Sequence, residues 1–262
     1  MPEDVVGEWQ LGRVVSAGAF AEVREAGSTT GEVAAIKRLH GHAAREREIC
    51  ELFAAECELT CALPPHPGLV RGRDAMPGAE RPWLLMDLVR GGDLRGAVER
   101  GDATALDARA LVASAAEAAA HLHAHGWVHG DLVPANLILR AGTETETASA
   151  SAVVVCDLGI TRRIGDGGPV RGTAAYMAPE QVHGDAWTAA VDVWALGVVL
   201  WELSTGERLF LRGASFLSMA AIVETEPPPL TDAALAPIVA RALSRDPAAR
   251  PGAAELAAAL RG

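Results

Sequence analysis

Apolar and polar residues alternate from 10 to 25 around a break at Ser16-Ala17-Gly18, a pattern that predicts strand, tight turn, strand. After the turn Thr29-Thr30-Gly31, a second β-rich run, Glu32-Val33-Ala34-Ala35-Ile36-Lys37, ends on a lysine. The period then lengthens: about 43–63 is helical, with Glu56 on the face it shares with Leu52 and Leu59. An acid on an apolar face needs a partner, and Lys37 is the natural one. Residues 81–89 read as a strand, 107–125 as an Ala-rich helix, 153–156 as a short apolar strand, and about 253–260 as the last helical stretch. The run 191–203 is apolar nearly all round and so predicts a buried helix, with one acid, Asp192, inside it. His121, His123 and His125, at the end of the 107–125 helix, are read as favourable charge at a helix C-terminus rather than as ligands. The polar, low-complexity stretch 142–151 is expected to be a solvated hairpin loop between two strands.

With 262 residues, half of them hydrophobic, the chain can bury a core for one large domain or two packed lobes. Its net charge of −11, with no basic block to offset it, argues against nucleic-acid partners. A protein or a small phosphorylated ligand is the expected partner instead. No apolar run approaches the roughly 20 residues that cross a bilayer, and the start Met-Pro-Glu-Asp lacks the features of a leader, so a cytoplasmic protein without membrane contact is expected. The four cysteines are too few and too clustered for a disulfide framework. Cys50, Cys57 and Cys61 share a helix face and are read as small core thiols rather than, with His66, a metal site.

The chemistry gathers in two short stretches. Val128-His129-Gly130-Asp131-Leu132-Val133-Pro134-Ala135-Asn136 sets an Asp on a loop with an Asn five residues later, and the strand 153–156 delivers Asp157-Leu158-Gly159. Two carboxylates and an amide form a set of oxygen ligands suited to Mg²⁺ and a bound polyphosphate. These stretches resemble the H-R-D-x-x-x-x-N and D-F-G motifs of protein kinases. The resemblance extends, in order, to the hairpin around Gly18, the Ala34-Ala35-Ile36-Lys37 strand, His66-Pro67-Gly68-Leu69-Val70, Gly172-Thr173-Ala174-Ala175-Tyr176-Met177-Ala178-Pro179-Glu180 and Arg245-Asp246-Pro247-Ala248-Ala249-Arg250-Pro251, and covers about 9–260. The block at 172–180 is closest to that of bacterial-type Ser/Thr kinases.

The resemblance implies an α+β, bilobal kinase-like fold: an N-lobe, 1–86, of antiparallel sheet plus one main helix, and a mainly helical C-lobe, 87–262, joined by a hinge at about 87–90. It implies ATP with Mg²⁺, or Mn²⁺, as cofactors and a protein as substrate, and it leaves a kinase dimer open. By the same resemblance Asp131 is the base or orienter for the acceptor hydroxyl, and Asn136 and Asp157 are the metal ligands. Lys37, paired with Glu56, holds phosphates. Ser16, Gly18, Val23, Ala35, Met86, Asp87, Val89 and Ile138 would line the nucleotide, with Met86 as gatekeeper and the backbone of 87–89 on adenine. Thr173 would bond to Asp131, Asp192 would cap the catalytic-loop backbone, and Arg250 would pair with Glu180.

The departures matter as much. Ser16 and Ala21 replace two glycines of the phosphate loop, which either strains the loop, at about 1 kcal/mol per position, or holds it further from the phosphates; weaker ATP affinity is expected. Gly130 stands where the family usually has Arg, and Val133 where Ser/Thr kinases have Lys. Losing one such preorganised cation costs roughly 3–4 kcal/mol, or about 10²–10³ in rate. The absent Arg commonly receives an activation-loop phosphate, and between Leu158 and Gly172 the only hydroxyl side chain is Thr161, so the loop 160–171 is expected to be arranged without phosphorylation. The hydroxyls of 142–151 are candidate autophosphorylation sites. Three functions stay open: a Ser/Thr protein kinase, slow because of these replacements; a pseudokinase serving as nucleotide-binding scaffold or allosteric partner; and phosphoryl transfer to a small molecule. The last helical stretch stops two residues short of Gly262, so no tail or sensor domain is expected.

Overall fold

A computed structural model describes residues 4–102, 106–140 and 153–262. The expected hairpin loop at 142–151 lies outside the described residues. The chain divides into two compact units, one made of the chain up to His66 with Val70–Val89, the other of Pro67–Leu69 and Arg90–Gly262.

The first unit is built on alternation. Strands β1 (Val5–Val6), β2 (Trp9–Ala17), β3 (Ala21–Ser28), β4 (Val33–Leu39), β5 (Gly72–Met76) and β6 (Trp83–Met86) form one six-stranded sheet in the order β1-β2-β3-β4-β6-β5. The pairings are antiparallel. Ala34 and Ile36 of β4 join Trp9, Leu11, Ala26, Trp83 and Leu85 in one buried cluster. Leu39, on the other set of alternate positions, joins Leu84 beneath Phe53 and Cys57 of helix α1 (Arg47–Ala62). Each large apolar side chain so enclosed contributes roughly 2 kcal/mol. The helix expected over 43–63 is split: a 3₁₀ turn, Ala43–Arg45, precedes α1, because Glu46 is extended. The strand expected over 81–89 is only four residues long. Beyond Met86 the Asp87 N–H still donates to the Arg71 carbonyl at 3.0 Å, one step further along the β5 register.

In the second unit helices α2 (Leu94–Glu99), α3 (Ala108–Ala124), α4 (Pro179–His183), α5 (Ala190–Thr205), α6 (Ser215–Glu224), α7 (Ala236–Ala242) and α8 (Ala253–Arg261) predominate. Asp107 caps α3, its carboxylate accepting from the amides of Arg109 and Ala110. The alanines of α3 are short enough to let α5 and α8 pack close against it, and α5 is buried from Val191 to Glu202. Two small ladders matter for the chemistry: β7 (Trp127–Val128) with β10 (Arg162–Arg163), and β8 (Leu137–Leu139) with β9 (Val153–Val155).

Candidate active site

The β8/β9 register brings the two chemical stretches together. Leu137 lies opposite Val155, and just beyond this pair the Cys156 amide donates to the Asn136 carbonyl at 3.0 Å. Asp157, the next residue, is thereby set near Asn136. The amide group of Asn136 donates through Nδ2 to the Asp131 carbonyl at 2.9 Å and to Asp131 Oδ2 at 3.2 Å, which leaves its Oδ1 as an oxygen donor for a cation. Asp131 Oδ1 accepts the Thr173 backbone N–H at 2.8 Å. The expected bond from Thr173 therefore runs through its amide, which needs no particular side chain. Asp157 accepts the Gly159 N–H at 3.3 Å and has φ of +66°, the single non-glycine residue with positive φ among the described residues. Backbone strain of about 1 kcal/mol at an exposed carboxylate points to a functional position.

Two buried groups hold this loop: His129, which motif spacing alone does not assign, and Asp192, the cap the resemblance implied. His129, fully enclosed, accepts the Asp131 N–H at Nδ1 (3.2 Å), so its Nε2–H is the donor to the Cys156 carbonyl at 3.1 Å. One ring thus ties the residue beside Asp157 to Asp131. Asp192 accepts the N–H groups of His129 (2.9 Å) and Gly130 (2.8 Å). It also accepts from His123 Nε2 at 2.8 Å, which adds to the reading of His123: in the last turn of α3, it is also the part-buried partner of an acid. A helical repeat could not reveal this, because the partner is 69 residues away.

Burial alone pushes the Asp192 carboxyl up, but the hydrogen bond and charge of His123 and the Gly130 amide hold it below its ordinary value of 3.8. The carboxylate therefore stabilises the fold fully above the unfolded value, and that stability is lost as pH falls through the folded one. Acid titration of unfolding is expected to show a steeper loss at and below about pH 4 for the natural chain than for Asp192→Asn, which instead loses stability at neutral pH. Parallel acid limbs for the two proteins would contradict this.

In the other unit, Lys37 Nζ lies 2.6 Å from Glu56 Oε1, and the two side chains are 16% and 5% exposed. Val23 faces Lys37 across β3/β4, and Ala35 faces Met86 across β4/β6. Ser16 and Gly18 are exposed on the hairpin, the Gly18 amide donating to Ala21 O at 2.8 Å. No residue of this hairpin has positive φ, so the replacement of glycines by Ser16 and Ala21 carries no backbone strain. His40 and His42 meet the carbonyls of Gly18 and Ala19 at 3.1 and 3.0 Å and hold the tip. Asp87 pairs with Arg73 at 2.5 Å, and its N–H donates to the Arg71 carbonyl. Val89 ends this unit, whereas Ile138 sits in the other, on β8 opposite Val154.

The core-thiol reading holds for Cys57; Cys61 is exposed and Cys50 half-buried. Burial, then the charges of Glu56 and Cys61, push the Cys57 thiol up to about 12, and burial also raises Cys61, so neither is a ready nucleophile. A cavity of about 670 Å³ is lined by Cys57, Cys61 and Arg73 among others, and holds none of the residues singled out for chemistry.

Residues 9–259 match the protein kinase domain. The chain is 37% identical over 261 residues to Serine/threonine-protein kinase PkaA of Streptomyces coelicolor, an alignment covering 97% of this chain and 46% of that protein. It is 33% identical over 266 residues to Serine/threonine-protein kinase PknB of Mycobacterium tuberculosis, with 94% and 41% covered. A probable myosin light chain kinase of Dictyostelium discoideum is 33% identical over 201 residues, covering 75% of this chain and 61% of that protein. The chain thus spans about half the length of the curated relatives it matches. An antiparallel sheet carrying a Lys–Glu pair, a helical unit carrying an Asp-Asn-Asp loop set and a domain match along nearly the whole length agree: the chain belongs to the protein kinase family, with its bilobal α+β fold.

Proposed function

We propose that this chain transfers the γ-phosphoryl group of ATP, with Mg²⁺ or Mn²⁺, to a serine or threonine hydroxyl of a protein. The observation that carries this reading is the Asp131 carboxylate, oriented by the Thr173 amide and by an Asn136 whose own oxygen stays available. The similarity to Ser/Thr kinases over most of the chain supports the acceptor class. ATP with its metal supplies an activated phosphoryl group and charge neutralisation. Lys37, held in place by Glu56, holds phosphate oxygens. Asn136 and Asp157 fit the metal, being hard oxygen donors on one ladder end. Asp131 orients the acceptor hydroxyl and takes its proton as the oxygen–phosphorus bond forms and the bond to the ADP oxygen breaks.

Gly18, Ser16, Val23, Ala35, Met86, Asp87, Val89 and Ile138 are proposed to contact the nucleotide. The exposed hairpin, with a serine and an alanine in place of glycines, supports weaker ATP affinity. Val133 in place of Lys supports slow turnover, and a scaffold that binds nucleotide without turnover is the outcome to set against it.

Incubation with γ-labelled ATP, Mg²⁺ or Mn²⁺ and a generic basic protein tests the proposal. Label on Ser/Thr of the protein or of the chain supports transfer, and nucleotide binding without label overturns it. Val133 is 3% exposed, so a lysine there must carry its ammonium out along its stem. Val133→Lys is expected to raise turnover, by up to about 10²-fold, if that cation limits the rate. An unchanged rate, with the variant folded, would show that another group, such as Arg171, already fills the gap.

A further inference from the structure

Trp187 belongs to none of the blocks that carry the family's chemical groups, yet it is 1% exposed and meets the catalytic loop and the segment after Asp157 together. Its six-membered ring lies against Gly130: a β-carbon on Gly130 would fall 2.1 Å from Cζ3 and 2.8 Å from Cη2. Gly130 also has φ of +80°, so a side chain there is opposed by both shape and conformation. The Arg162 guanidinium lies over the indole, 4.1 Å from its centroid. Its Nη1 is buried with no hydrogen-bond acceptor, so the π face is what meets the charge there, while Nη2 donates to Pro169 O at 2.6 Å. Burial, and then Arg171, lower the Arg162 pKa, as expected for a cation drawn out of water. Two backbone bonds complete the contact: Gly165 N–H to Trp187 O at 2.8 Å and Trp187 N–H to Asp166 O at 3.0 Å.

In the family, an Arg at position 130 and a phosphate on the following loop commonly form the latch between these segments. Here the Arg is a glycine, and an indole stands against it. We propose that Trp187 is a positioning residue for Asp131: with Arg162 it is an aromatic latch that holds the segment 160–171 to the catalytic loop with no phosphate. Sequence spacing hides this latch because its two halves, Gly130 and Trp187, are informative only together. The role in turnover rests on the proposed kinase activity; the latch itself does not.

The test combines amide hydrogen exchange over 160–173 with steady-state transfer kinetics. Trp187→Ala is expected to speed exchange at the Gly165 amide by about 10-fold or more and to lower kcat by a similar factor with KM for ATP unchanged. Trp187→Phe restores most of both. Arg162→Met, which keeps the indole and the fold, moves both in the same direction by a smaller factor, and it decides the matter if Trp187→Ala does not fold. Gly130→Ala lowers kcat on its own but costs much less in a Trp187→Val background, since the clash is then gone. Unchanged exchange and kcat in Arg162→Met, or exchange in a folded Trp187→Ala equal to that of the natural chain, would overturn the latch. If the natural chain transfers no phosphate, exchange in these same variants still decides the latch, and only the proposed function fails.

Discussion

Asp131→Asn is expected to lower the rate of phosphoryl transfer by about 10²–10⁴-fold while leaving nucleotide affinity nearly unchanged. The substitution keeps the shape of the side chain and an oxygen for the Thr173 amide, but it removes the group that takes the hydroxyl proton and sets a second NH₂ against the Asn136 Nδ2. Asp157→Ala is expected to abolish transfer in a different way, by weakening nucleotide binding in the presence of Mg²⁺ but not in its absence. A third substitution separates chemistry from folding. Asp157→Gly relieves the positive φ, so the protein is expected to be as stable as the natural chain or up to about 1 kcal/mol more stable, yet equally inactive. Rate, nucleotide affinity with and without metal, and denaturant midpoints distinguish these outcomes. Full activity in Asp131→Asn would remove the proposed mechanism.

Arg250→Ala is expected to destabilise the helical unit by about 3–5 kcal/mol. Both terminal nitrogens of Arg250 meet the Glu180 carboxylate, Nη1 at 2.6 Å and Nη2 at 3.0 Å. Nε donates to Ser244 O at 2.8 Å, and Nη1 and Nη2 donate again to the carbonyls of Ala190 and Arg245. All five N–H donors are used in a pair whose side chains are 0% and 9% exposed, and the guanidinium also lies over Trp194. Truncation leaves a buried carboxylate with no cation and takes one donor from each of three carbonyls. Lysine does not rescue it, since a compact ammonium with three donors cannot serve an array made for a planar fork. Urea unfolding of Arg250→Ala, Arg250→Lys and Arg250→Ala/Glu180→Ala measures this. The double variant is expected to lose less than the sum of the singles, and a loss under about 1 kcal/mol for Arg250→Ala would refute the assignment.

Elements were legible wherever the cause of structure is local. Alternation over 10–25 and the β-rich run 32–37 produced strands because successive side chains of an extended chain face opposite ways, and in β4 both sets are buried, one with Trp9 and Leu11, the other beneath α1. The nearly all-apolar run at 191–203 became a helix buried on every side from Val191 to Glu202, since no face of it is polar enough to meet water. Lys37 could be matched to Glu56 because an acid on the apolar face of a helix requires a cation, and the resemblance of 32–37 and 66–70 to kinase motifs singled out which lysine and which glutamate. Boundaries were less legible: the extended Glu46 divides 43–63, and the strand expected over 81–89 spans only Trp83–Met86, neither of which a repeat encodes.

Residue types and their order along the chain were enough to name the acids, the amide and the lysine, and to mark Gly130 and Val133 as departures. Only tertiary packing decided that His123 serves Asp192, that Thr173 meets Asp131 through its backbone, and that Trp187 fills the space a β-carbon on Gly130 would need. The division has a physical origin. Propensity and periodicity act over a few residues through backbone geometry, whereas these contacts join residues 42 and 69 positions apart, and in the third case a tryptophan and a glycine, once whole elements have docked.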